Sequence, residues 1–222
     1  MSASADWPPL PAGALPLAPD ELRLVWCPQA PAPPRARRSR VDRVLRASLA
    51  PAVGASPGDL RFGREEKGRP FLLSADPPDF NLSDTDGGTL VALCRRGRIG
   101  VDLEHTDREP AVLRLAARYF AAEETMALAA MPADAARRAF LRLWTAKEAS
   151  CKATGTGIFG WLPHWRFEAE AEQPALRAAP AEAGALARWS HRRIAPAPTH
   201  TAVIALRDGA GPEPSFYRLA ID

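Results

Sequence analysis

Alternating apolar and polar positions mark several strands along this chain. Leu22-Arg23-Leu24-Val25-Trp26-Cys27 reads as a largely buried strand. In Arg98-Ile99-Gly100-Val101-Asp102-Leu103-Glu104, Ile99, Val101 and Leu103 alternate with Gly100, Asp102 and Glu104. An extended backbone therefore sends both acids to one face. Thr89–Cys94 lies just upstream across Arg95-Arg96-Gly97, and the two segments are expected to form a hairpin. Three more strands are expected at Trp165–Ala169, Leu186–His191 and Thr201–Leu206, the last before an Asp208-Gly209 turn.

Helical spacing alternates with these strands. Val41, Val44, Leu45, Ser48 and Leu49 form the inward stripe of a helix that ends before the Gly54 to Gly58 turn region. A second helix is expected from Ala111 to Tyr119 and a third from the acidic pair Glu123 and Glu124. Pro132 breaks that third helix, Asp134 is placed to cap a long one, and Gly155 stops it. Phe140, Leu143, Trp144 and Cys151 give the long helix its apolar stripe, and Trp144 is read as core. Glu148 falls on the same stripe, where an isolated charge is very costly. It must be paired, protonated or bound to a cation. Lys152 shares that face one turn further on.

Asp102, Glu104 and Glu148 together suggest a magnesium site. Each motif alone has an ordinary reading: acidic pairs at strand ends are common, and a Glu and Lys four apart are usually a surface ion pair worth roughly 0.3–0.5 kcal/mol. Their flanks favour chemistry, because the acids end an apolar strand and the Glu-Lys pair continues an aromatic stripe. His105 is the one histidine beside this site, and its default reading is exposed.

The 46% hydrophobic content of the 222 residues is ample for a core. No apolar run approaches the roughly 20 residues that span a bilayer, and no basic-then-apolar leader opens the chain, so a cytoplasmic protein without membrane contact is expected. Cys27, Cys94 and Cys151 are widely spaced and set among apolar residues, as buried free thiols are. Net charge is only +3, yet Arg35, Arg37, Arg38, Arg40, Arg43 and Arg46 are clustered with only Asp42 to oppose them. That run is either a solvated face or an anion site. Residues 1–21 are a lead punctuated by Pro8, Pro9, Pro11, Pro16 and Pro19, expected to have little regular structure. An α/β half over 22–108 and a second over 109–222 follow.

Five short blocks, in order, carry a resemblance. Gly68-Arg69-Pro70 with Phe80-Asn81-Leu82-Ser83, then Gly100-Val101-Asp102-Leu103-Glu104, Arg118-Tyr119-Phe120-Ala121-Ala122-Glu123-Glu124, Trp144-Thr145-Ala146-Lys147-Glu148-Ala149 with Lys152, and Gly155-Thr156-Gly157-Ile158 resemble the signature of the surfactin-type 4′-phosphopantetheinyl transferases. The similarity spans roughly residues 22 to 206. It implies an α/β (α+β) fold of two similar halves related by a pseudo-twofold axis, with the active site in the cleft between them. It implies transfer of the 4′-phosphopantetheine arm of coenzyme A to a serine of an acyl- or peptidyl-carrier protein, releasing adenosine 3′,5′-bisphosphate. Mg²⁺ would be held by Asp102, Glu104 and Glu148, a usual arrangement for phosphoryl-type transfer.

By the same resemblance Glu148 and Lys152 are catalytic: Glu148 could activate the serine through water, and Lys152 could either stabilise charge on the phosphates or accept a proton. Arg37, Arg69, Ser83, Asp84 and Lys152 would meet coenzyme A, and Glu124 would support the base, contact substrate or be a plain helix acid. Asp84 stands where the family usually has histidine, and an aspartate repels phosphate unless a cation or basic side chain intervenes. A coenzyme A or carrier-protein binder without catalysis is thus the alternative. A metal-dependent nuclease fits less well, since its usual acid-x-lysine arrangement and stacking aromatic strands are missing, and no nucleic-acid partner is expected. A monomer is the default, because two fused halves can complete the cleft within one chain.

Overall fold

The computed structural model describes residues 7–11, 13, 15–30, 32–208 and 213–221. In chain order these form β1 (Leu22–Pro28), α1 (Pro34–Val53), β2 (Phe62–Arg64), β3 (Pro70–Leu72), β4 (Asp79–Thr85), β5 (Gly88–Cys94), β6 (Arg98–His105), α2 (Val112–Tyr119), α3 (Ala122–Ala129), α4 (Ala133–Thr154), β7 (Arg166–Phe167), β8 (Leu176–Ala178), β9 (Trp189–Ile194), β10 (His200–Arg207) and β11 (Ser215–Arg218). One sheet has the order β11-β1-β5-β4, a second β6-β10-β9, and two short hairpins pair β2 with β3 and β7 with β8.

The strands' alternation builds a layered α/β molecule. Leu22, Leu24, Trp26, Leu90 and Ala92 of the first sheet meet Ile99, Val101, Leu103, Ala202 and Ile204 of the second in one core. Val25, Cys27, Val91 and Leu93 point the other way, against Val44, Leu45 and Leu49 of α1. On the far side of the second sheet, Val203 and Ala205 pack against Phe140, Leu143 and Ala146 of α4. The order of layers is therefore α1, first sheet, second sheet, α4. The three cysteines are buried and free, and burial pushes the Cys94 and Cys151 thiols up to about 12.

Several expectations need correction. β5 and β6 do not form a hairpin: β5 pairs on one side with β1 and on the other with β4, which leaves no edge for β6, and β6 pairs with β10. The hairpin is β4–β5, turned through Asp86-Gly87 with Gly87 at φ 93. Leu186–Arg188 is a 3₁₀ turn ahead of β9, and the strand expected at Trp165–Ala169 shrinks to Arg166–Phe167. Pro132, not Asp134, occupies the cap position of α4 with no side-chain cap bond, and Asp134 sits in the first turn, where a negative charge suits the helix dipole. Gly155 ends α4 at φ 72.

The lead residues among those described have no helix or named strand, but they are anchored: Trp7 and Leu17 are buried, and Pro9 bridges Arg218 of β11. β6, which precedes residue 108, lies in the second sheet, while β11 returns to pair in parallel with β1 in the first. The expected Asp208-Gly209 turn lies partly outside the described residues, since Gly209 is not among them. No helix among the described residues is long and apolar enough to cross a membrane.

Candidate active site

Gly100, Asp102 and Glu104 occupy the face of β6 turned to α4, opposite Ile99, Val101 and Leu103. A side chain at Gly100 would collide with the Ala149 carbonyl and the Ala153 amide, so the α4 backbone lies directly on the strand. That close approach sets Asp102 beside Lys152, whose Nζ lies 2.6 Å from Asp102 Oδ1. Ser83 of β4 completes the group: its Oγ is 3.1 Å from Asp102 Oδ1 and accepts from Lys152 Nζ at 3.0 Å.

Glu148 stands beside Asp102 in the buried part of the cluster. Burial and the Asp102 charge push its carboxyl up to about 8. Glu104 is likewise pushed up to about 7 by burial and by Asp102, although Arg108 ion-pairs with it. Asp102 Oδ2 is buried without a hydrogen-bond partner. Two carboxylates so close together are relieved by a shared proton or by a cation. This is the donor chemistry of a hard divalent ion. Among the described residues, no three such side chains stand ready gathered as ligands: Asp102 faces Lys152 and Glu104 faces Arg108.

The cluster lies between two depressions. One of about 590 Å³ is lined by Thr85, Asp86, Glu104 and Arg108. The other, about 230 Å³, is lined by Lys67, Asn81, Lys152 and Gly157. A cavity of about 510 Å³ between α2, α3 and α4, lined by Val112, Leu113, Leu128 and Met131, contains none of the clustered acids.

The other expected residues are placed differently. Asp84 faces Thr89 across the β4–β5 hairpin and accepts from Thr89 Oγ1 at 2.5 Å. Its second carboxylate oxygen ion-pairs with Arg37 Nε, and Arg37 Nη2 also donates to the Asp84 carbonyl at 3.0 Å. A basic side chain thus does intervene at position 84. Arg69 is 7% exposed, and its guanidinium is occupied by Asp79 Oδ2 at 2.7 Å, Phe80 O at 3.1 Å, Ile99 O at 2.9 Å and the Lys152 carbonyl. Glu124 is not in the cluster. Buried at the start of α3, it accepts from the Ala121 and Phe167 amides at 3.0 and 2.9 Å and pairs with Lys147 at 2.7 Å. Lys147 in turn donates to the carbonyls of Leu162 and Trp165.

The stretch of residues 98–205, from β6 to β10, matches the model of the 4′-phosphopantetheinyl transferase superfamily. The 4′-phosphopantetheinyl transferase HetI of Nostoc sp. (strain PCC 7120) is 33% identical over 190 residues, which cover 83% of this chain and 76% of that protein. The chain belongs to the 4′-phosphopantetheinyl transferase superfamily. Shorter matches link this superfamily member to the transferases Sfp of Bacillus subtilis (strain 168), 29% identical over 53% of this chain and 51% of that protein, and psf-1 of Bacillus pumilus, 33% identical over 55% and 52%. The matched stretch spans about half the length of both Bacillus relatives.

Within this superfamily member, sequence reasoning missed Asp79 and Arg108, and it read Ser83 as a coenzyme A contact rather than as a support of β6. Asp79, Asn81 and Ser83 alternate along β4 and accept from the amides of Ile99, Val101 and Leu103 at 2.7, 3.0 and 3.1 Å. Three side chains thereby cover the open edge of β6. The signal was their period of two, polar where Phe80 and Leu82 are apolar. Arg108, four residues after Glu104, also places its guanidinium 5.8 Å from the Trp144 ring.

Proposed function

We propose that the protein transfers the 4′-phosphopantetheine arm of coenzyme A to a serine of an apo acyl- or peptidyl-carrier protein. The serine oxygen forms a bond to the phosphorus bearing the arm, the pyrophosphate P–O bond breaks, and adenosine 3′,5′-bisphosphate leaves. The observation that carries this reading is Asp102 with one oxygen on Lys152 and the other buried without a donor beside Glu148. Asp102, Glu104 and Glu148 would hold Mg²⁺, which would supply neutralisation of the pyrophosphate charge. Lys152, half-exposed at the end of α4, would meet a phosphate oxygen by exchanging its contact with Asp102. Glu148 would take the serine proton through a water, as a carboxylate of the cluster able to accept one. Arg37 would reach a coenzyme A phosphate from the rim, in competition with Asp84. The protein would work as a cytoplasmic monomer.

Incubation with coenzyme A, Mg²⁺ and an apo carrier protein, followed by intact mass measurement, tests the reading. A pantetheinyl mass gain is expected, abolished by EDTA and reduced at least about 100-fold in Glu148→Ala. A fully active, folded Glu148→Ala would sink the assignment. Arg37 tied to Asp84 is the one observation that favours a coenzyme A binder without transfer. Calorimetric binding with no mass gain on several carriers would establish that reading instead.

A further inference from the structure

The last turn of α4 carries Lys152, and a helix end leaves its final carbonyls without intrahelical partners. Gly155 N serves Cys151 O at 3.0 Å. The next two carbonyls are taken by arginines from outside the helix: Arg69 Nη1 donates to Lys152 O, and Arg98 Nε reaches Ala153 O at 3.4 Å. Both cations also suit the negative end of the helix dipole. Arg69 does more than cap. Its Nη2 donates to Phe80 O of β4, Ile99 O of β6 and Asp79 Oδ2, and the same Asp79 oxygen accepts from Ile99 N at 2.7 Å. One buried guanidinium thus joins an edge strand of each sheet to the turn bearing Lys152.

We infer that Arg69 is a positioning residue, fixing the Lys152 backbone so that its ammonium reaches Asp102 and Ser83. Arg69 lines the smaller depression and its Nε is left without a hydrogen-bond partner, but both terminal nitrogens are held by protein oxygens, one of them the Lys152 carbonyl. The inference rests on the transferase reading only for its consequence on rate, since the clamp itself is a matter of fold.

The test compares wild type with Arg69→Met and Arg69→Lys. The expected result is a kcat lower by about tenfold or more in Arg69→Met, a partial recovery in Arg69→Lys, and a KM and calorimetric Kd for coenzyme A within about twofold of wild type. Hydrogen exchange should quicken in the peptide covering 149–155, while α1 stays protected. A weakened Kd for coenzyme A with kcat and exchange unchanged would make Arg69 a phosphate ligand and overturn the proposal, as would no change in any readout. Arg69→Lys keeps the charge and part of the bonding, so the comparison survives if Arg69→Met does not fold. A wild type that gives no mass gain would defeat the transferase reading alone. Exchange and calorimetry would still decide whether Arg69 clamps α4.

Discussion

Asp84 is engaged on both sides by what it faces. Thr89 holds one carboxylate oxygen and Arg37 the other, so the charge that would repel a pyrophosphate is spent on a guanidinium at the rim. The corollary is that Arg37 is not free until Asp84 lets go. Asp84→Asn should release it and lower the KM for coenzyme A about threefold to fivefold, in keeping with the roughly 1 kcal/mol of a partly exposed ion pair. Steady-state kinetics with varied coenzyme A checks this, and a raised KM would mean that Asp84 itself touches the substrate. Gly100 bears on the site by what it lacks. Gly100→Ala forces α4 away from β6 and should cost about 1–3 kcal/mol by denaturant unfolding, with transfer falling along with it. An unchanged midpoint would show that the helix can yield at that point.

Among the elements, β6 was legible and its neighbours were not. A period of two is written in seven consecutive residues, so the faces of Ile99–Leu103 and Gly100–Glu104 could be read without knowing the partner strand. Which strand β6 pairs with is decided elsewhere: β1 and β4 take both edges of β5, and nothing near Arg95-Arg96-Gly97 records that. α4 was legible for the same local reason, since Phe140, Trp144, Glu148 and Lys152 share one stripe. Lys147, one position before Glu148, was invisible because its meaning lies in Glu124 on another helix. The pair is buried, with side-chain exposures of 0% and 3%, and ties α3 to α4 and, through Phe167 N, to β7. Lys147→Met alone leaves Glu124 buried without its cation and should cost about 3–5 kcal/mol. Adding Glu124→Leu should restore part of that loss. Chemical denaturation of both single variants and the double one measures the coupling, and additive losses would mean the two residues act independently.

For the whole molecule, acid is a foreseeable weakness. The His191 ring lies between Phe167 and Trp189, at 5.0 and 5.9 Å, with Nε2 2.9 Å from Ser150 Oγ, and burial holds it down at about 3. The unfolded chain takes up a proton near pH 6.5 while the folded one does not, so stability is complete above that value and is lost progressively as pH falls toward 3. Between pH 6.5 and 4 the loss from this group should be about 1–3 kcal/mol. His191→Phe should flatten that limb of the thermal-midpoint profile, and an equally steep profile in the variant would shift the cause to other groups.

The parallel pairing of β1 with β11 has a consequence in the order of synthesis. β1 emerges from the ribosome early and finds β5 soon after, but its other edge stays open until the whole second half has been made and Phe216 and Tyr217 arrive opposite Leu24 and Val25. Contacts between such distant segments close late and slowly. A nascent chain, or a fragment ending near residue 108, therefore carries an unpaired apolar strand edge and a β6 without β10, both of which invite pairing with another chain. The segments before and after residue 108 therefore share their sheets, and neither is expected to be soluble when expressed without the other.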